Sequence, residues 1–192
     1  SSIENIIYSF HPENNCSMTL LRDDLIQLRA IEPEDLEVLY RWENTADLWE
    51  VGDTLAPFSK YVLREYIAES HRDIYDLKQL RLIIEHQKDR KAAGMMDLFN
   101  FDPYHSRAAM GMLIDPDYQH QGIGRRALNL MLEYCFSFLK LHQLYVHIPA
   151  HNKASLQLFL TSGFSIQGTL KDWLHTTEGY KDVLVLQRIN AR

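Results

Sequence analysis

The apolar positions of this chain recur at two periods, and the switches between them outline the fold. Residues 25–29, Leu-Ile-Gln-Leu-Arg, alternate as a half-buried strand does. Pro33, Glu34 and Asp35 then open a helix through Trp42, with proline at the start and acids in the first turn. Ser59 is placed to cap a second helix, on which Val62, Leu63, Tyr66 and Ile67 fall on adjoining turns. Residues 81–85, 93–99 and 108–114 read as an antiparallel meander, divided by the polar run 86–91 and by Asp102-Pro103-Tyr104-His105. A helix is expected over about 124–140, with Leu128, Leu132, Cys135 and Leu139 at helical spacing, so Cys135 reads as core packing. Residues 144–148 read as a strand and 152–162 as a helix that Gly163 stops. A strand from Phe164 then returns through Gly179 to residues 183–186. Strands and helices alternating after a meander predict a mixed α/β sheet with helices over its faces.

Composition narrows the class without naming a chemistry. The 192 residues, 46% of them hydrophobic and 24% charged, are enough for one substantial core. Residues 1–20 stand apart as an N-terminal extension, and 21–192 read as one domain. Cys16 and Cys135 sit in neither a disulfide framework nor a zinc spacing, which fits a reducing, cytoplasmic compartment. No apolar run approaches the roughly 20 residues that a membrane helix needs. A net charge of −6 speaks against a nucleic-acid partner and is mildly welcoming to cations.

Chemistry concentrates in Gln119-His120-Gln121-Gly122-Ile123-Gly124, between a predicted strand and a predicted helix. Backbone amides at a helix start converge on a phosphate, and glycines at 122 and 124 remove the Cβ atoms that would hold it away. Arg125 and Arg126 follow in the first helical turn, where positive charge opposes the helix dipole unless a polyanion is bound. A plain strand-to-helix turn is the other reading of the glycine pair alone. No GxxxxGK[ST] and no GxGxxG is present, which excludes two rival phosphate motifs. Nine histidines form no HExxH, the chain has no GxSxG, and no metal is expected. Tyr145 and His147 share one face of a strand, and they read, like His120, as structural or solvent-facing.

Residues 114–124, Ile-Asp-Pro-Asp-Tyr-Gln-His-Gln-Gly-Ile-Gly, resemble the acetyl-CoA-binding segment of the GNAT N-acetyltransferases, Q/R-x-x-G-x-G/A after a strand. Residues 152–159, Asn-Lys-Ala-Ser-Leu-Gln-Leu-Phe, followed by Gly163-Phe164, resemble that family's second segment. Leu28-Arg29, Glu34-Asp35-Leu36, and the tail with Leu170-Lys171, Gly179-Tyr180 and Asp182 resemble the branch of spermidine and ribosomal-protein alanine acetyltransferases. The likeness spans about residues 25–188. It implies an α/β fold with a mostly antiparallel central sheet, helices on both faces, and acetyl-CoA as cosubstrate.

By the same resemblance, main-chain groups of Met112, Leu113 and Ile114 pair with the pantetheine arm. The amides of Gln119, His120, Gln121, Gly122, Ile123 and Gly124 hold the pyrophosphate, and Arg125 or Arg126 neutralises its charge. Asn152 and Ser155 lie near the thioester, which is compatible with their acting as a helix cap. Phe159 stands where many members carry a tyrosine that protonates the departing thiolate, and a phenyl ring has no proton to give. Water or the Ser155 hydroxyl is the substitute. Asp97 matches an acid that faces the polyamine in the spermidine branch, making it the candidate base, with an acid on a solvated strand face as the other reading. Trp42, Glu43, Trp49, Glu50 and Asp53 combine rings and acids where this branch places its acceptor, and a cationic amine suits such a cluster; amphipathic packing of the two tryptophans is the equal alternative. The expected partner is a small amine, polyamine-like, or a peptide N-terminus, with a homo-oligomer possible. A coenzyme A-binding module without chemistry is the reading from outside the enzyme class.

Overall fold

The computed structural model describes residues 20–45 and 56–191. Within them lie strands β1 (Ile26–Arg29), β2 (Leu80–His86), β3 (Lys91–Asp102), β4 (Arg107–Ile114), β5 (Gln143–Pro149), β6 (Ser165–Thr176) and β7 (Gly179–Ile189). The helices are α1 (Leu36–Glu43), α2 (Lys60–Glu69), α3 (Ile74–Leu77), α4 (Ile123–Glu133) and α5 (Lys153–Thr161). Ser59 accepts a hydrogen bond from the Val62 amide at 3.1 Å, and Asn152 caps α5 by accepting from the Ser155 amide at 3.2 Å. Both were legible caps. The four-residue α3 was not expected, because one turn capped by Asp73 shows no apolar period. After α4 the chain widens into a π-turn over Tyr134–Phe138 that buries Cys135.

The strands form one sheet in the order β1-β2-β3-β4-β5-β7-β6, and among them only β4 and β5 run parallel. Alternation sorts side chains to two faces. Leu82, Ile84, Met96, Leu98, Met110, Leu144, Val146 and Leu186 pack with Leu128, Met131 and Leu132 of α4 and with Leu156 and Phe159 of α5. On the other face Ile83 and Met95 pack with Leu39 and Trp42 of α1 and with Leu63 and Ile67 of α2. Arg29 fastens this second layer to the sheet, bonding Asp35 ahead of α1 at 2.8 Å and Glu85 of β2 at 2.6 Å.

The parallel ladder is short. Arg107 pairs with Gln143, Ala108 with Leu144 and Ala109 with Tyr145; beyond them β4 and β5 part, although β4 continues to Ile114 and β5 to Pro149. The site is built around that opening.

Candidate functional site

Asp115 ends β4 and prepares the loop that follows. Its carboxylate is 3% exposed, accepts from the Asp117 amide at 3.0 Å, and so turns the chain through Pro116–Tyr118. It also accepts from the Trp42 indole at 2.8 Å and from Arg41 at 2.6 Å, tying α1 to the turn. Burial alone would raise its pKa, but these three donors together hold it below the usual carboxylate range. Gln119, His120, Gln121 and Gly122 then lie exposed, His120 and Gly122 with φ of 61° and 76°. A Cβ on Gly122 would meet nothing within 4 Å, so the space above this residue is open, while the left-handed backbone there suits glycine. Ile123 is buried and anchors the start of α4.

Gly124 brings that helix start against the opening. A Cβ there would stand 3.4 Å from the end of Met112, 3.5 Å from Leu158 of α5 and 3.7 Å from Ile114. The expected coenzyme residues thus gather: Met112, Leu113 and Ile114 on the parted stretch of β4, the loop from Gln119 to Gly124 above it, and α5 alongside. The two arginines separate. Arg126 bonds Asp23 at 3.1 Å and Asp24 at 2.7 Å, whereas Arg125 is exposed and forms no ion pair among the described residues. Ser155 is half-buried in the first turn of α5. Phe159 is 2% exposed, its ring packed edge-on to Phe164 at 5.1 Å between centroids.

Asp97 lies on the opposite face, toward α1 and α2. Both its oxygens are taken by Arg81, at 2.7 and 2.8 Å, and Arg81 also bonds Glu43 at the end of α1. The Tyr66 ring lies 5.5 Å from the Arg81 guanidinium. Burial works against the Arg81 charge, but Asp97, Tyr66 and Glu43 outweigh it and raise its pKa further. Burial likewise raises Tyr66. Two carboxylates thus share one guanidinium. Trp49, Glu50 and Asp53 lie outside the described residues. Reading from sequence did not single out Arg81 or Asp115: the first needed the β2–β3 register that sets Arg81 against Asp97, and the second needed the contact with α1.

Gly111 pairs with Asp97 across β3 and β4, and its missing side chain leaves a floor that the Phe99 ring overhangs, 3.6 Å from where a Cβ would stand. On the same face of β5 lie Tyr145 and exposed His147, their ring centroids 6.0 Å apart, with Val185 of β7 opposite His147. A concavity of about 860 Å³ opens on this face, and Lys78, Asp102, Arg107, Gln143, Tyr145 and Val185 are among its lining residues.

The arrangement offers an exposed loop and helix start on one side of parted strands, and the Glu43–Arg81–Asp97 cluster with a polar, aromatic concavity on the other. Comparison with known proteins gives the family. The family model of the acetyltransferase (GNAT) domain matches residues 26–165. The spermidine N(1)-acetyltransferase of Escherichia coli K12 is 27% identical over 159 residues, 83% of this chain and 83% of that protein. That of Vibrio cholerae is 26% identical over 158 residues, 82% of this chain and 89% of that one. A crystal structure of the Vibrio cholerae enzyme in complex with CoA and spermine superposes with a TM-score of 0.77 at 25% identity, covering 88% of this chain and 97% of that one.

Proposed function

This chain belongs to the GNAT acetyltransferase family and is an acetyl-CoA-dependent N-acyltransferase, and from that premise we propose that its acceptor is a primary amine of a polyamine. The observation that carries the reading is the parting of β4 and β5 after Ala109 and Tyr145, with the exposed loop from Gln119 to Gly122 on one side and the Glu43–Arg81–Asp97 cluster on the other. The spermidine acetyltransferases among the relatives support the same acceptor class.

The residues divide the work by position. Main-chain groups of Met112, Leu113 and Ile114 receive the pantetheine arm along the parted edge. The amides from Gln119 to Gly124 hold the pyrophosphate at the start of α4, and exposed Arg125 neutralises part of its charge. Arg126 serves the fold instead, through Asp23 and Asp24. Asn152 fixes the first turn of α5, which sets the Ser155 hydroxyl beside the thioester to meet the departing thiolate. Phe159 closes the pocket behind it as an apolar wall. Asp97 and Glu43 draw the cationic chain in, and Trp49 and Glu50, outside the described residues, remain candidates for the same role. An acceptor amine of pKa near 10 arrives mostly protonated and must lose a proton before attack.

Thiol release from acetyl-CoA in the presence of spermidine or spermine tests the reading, with peptides beginning in alanine or serine as the comparison. Turnover with polyamines at least tenfold above the peptides is expected; peptide preference overturns the acceptor assignment. Gly122→Val places a branched side chain in the open space over the loop and strains a left-handed residue. It is expected to weaken coenzyme A binding by more than about tenfold with little change in the folded core, as isothermal titration and circular dichroism would read. Unchanged affinity removes the loop assignment.

A further inference from the structure

Asp97 is poorly free to take a proton. A base needs an available lone pair aimed at the amine, and both oxygens of this carboxylate already accept from Arg81 in a forked, charge-assisted pair. Each proton it accepted would weaken that pair inside a partly buried cluster. The opening has a second titratable group that carries no such load. His147 is exposed on β5, on the face that carries Asp97, and among the described residues its ring makes no hydrogen bond or ion pair; its one ring contact is Tyr145.

Register places it. Ala109 and Tyr145 are the last paired residues of the parallel ladder. Two residues further along each strand bring Gly111 and His147 to the same level on opposite lips of the opening. Gly111 is itself paired with Asp97. Asp97, the bare floor at Gly111 and His147 therefore lie in one row across the sheet, at the opening between β4 and β5. The concavity on this face is lined by Tyr145, two residues before His147 on its strand, and by Val185, which pairs with it, so the imidazole stands at the rim of that concavity, whose charged lining is Lys78, Asp102 and Arg107.

We infer that His147 is the catalytic base of this enzyme, taking the proton from the acceptor ammonium directly or through one water while Asp97, held by Arg81, anchors the cation. The inference rests on the acetyl-transfer reading above. The balance of the step is simple. The ammonium gives one proton to the His147 imidazole, and the freed lone pair forms the N–C bond as the carbonyl pair moves onto oxygen. Collapse of the adduct breaks the C–S bond, the pair leaving on sulfur. A second proton leaves the nitrogen as the amide forms and neutralises the thiolate, and the imidazolium returns its proton to solvent. Acetyl-CoA and an ammonium thus become an amide, free thiol and one proton. The route asks nothing of Phe159. Imidazole suits the task because its ordinary titration lies nearest neutrality among side chains.

The test compares His147→Gln and Asp97→Asn with the unaltered enzyme, using spermidine and acetyl-CoA. Unaltered turnover decides the acceptor reading by itself; the ratio of the variants decides the base. His147→Gln, which keeps size and hydrogen bonding but cannot accept a proton at neutral pH, is expected to lower kcat by about 100-fold, with coenzyme A affinity and KM for spermidine changed less than about threefold. His147→Ala is expected to regain part of kcat on addition of free imidazole, a recovery that a merely structural role would not produce. Asp97→Asn is expected to raise KM more than it lowers kcat. A His147→Gln enzyme within about twofold of normal kcat overturns the inference, as does loss of kcat in Asp97→Asn alone.

Discussion

At Gly94 the sheet is closer than any other residue would allow. A Cβ there would stand 2.2 Å from the Leu113 carbonyl oxygen, a backbone atom that cannot swing aside. The same approach fixes Leu113 and Ile114, the stretch of β4 assigned to the pantetheine arm, and the neighbouring Ala93 carbonyl accepts the Asp115 amide at 2.8 Å. Gly94→Ala is expected to cost at least about 2 kcal/mol of stability by forcing the strands apart, read as a lower midpoint in urea unfolding. Nothing in the linear sequence marks this glycine, because the atom it spares belongs to another strand. Cys135 was legible, since helical spacing put it on the buried row with Leu128 and Leu132 and burial is what the structure shows. Burial pushes its thiol up to about 12, so little thiolate forms at pH 8. In a Cys16→Ser background, iodoacetamide is expected to leave the native protein unlabelled and to label it fully in denaturant.

Between elements, the informative contact is α1 to the turn that opens the coenzyme loop. Trp42 and Arg41 reach Asp115 from one end of the helix, and Glu43, one residue on, reaches Arg81 and through it Asp97. Donor side and acceptor side thus share a strut. Trp42→Phe keeps the ring in the core but leaves a buried carboxylate short of a donor, at a cost of about 1–3 kcal/mol. Because the folded pKa of Asp115 is depressed, its stabilisation is complete above the ordinary carboxylate value near 4 and disappears as pH falls through the lower folded value. The stability gap between the normal protein and Trp42→Phe is therefore expected to be full at pH 7 and to narrow below about pH 4, as denaturant titrations at several pH values would show. Individual elements were readable from their caps and periods: Ser59, Asn152 and Gly163 each mark a boundary the structure keeps. Their joints were not. Asp115 stood in the sequence only as part of the 114–124 segment, and its side-chain partners, Arg41 and Trp42, lie in a helix far earlier in the chain. The π-turn after α4 escaped because an inserted residue leaves the apolar spacing of Leu128, Leu132 and Cys135 intact.

For the molecule as a whole, the two sheet edges differ sharply. β1 is four residues long and folds back on Arg22, whereas β6 runs for twelve residues, none of them buried, and its hairpin exposes Ile166, Trp173 and Tyr180. A long open edge with apolar side chains complements a copy of itself about a two-fold axis. Light scattering is expected to give a mass at least twice the 22.5 kDa of one chain, and Trp173→Glu to lower it; a monomer at micromolar concentration would refute self-association through this edge. The three-pair ladder between β4 and β5 has a broader consequence. It divides the sheet into two antiparallel halves, β1 to β4 and β5-β7-β6, that are stitched by a few backbone bonds and by the apolar layer they share under α4 and α5. Their amides should exchange with solvent as two partly independent bodies. Under the proposed assignment coenzyme A occupies the gap in place of the missing ladder, and its binding is then expected to slow exchange in β4 and β5 together. At a hundred times its Kd it adds about 2.7 kcal/mol to global stability. The cosubstrate, on this view, is a seam that the sheet lacks until the enzyme is ready to work.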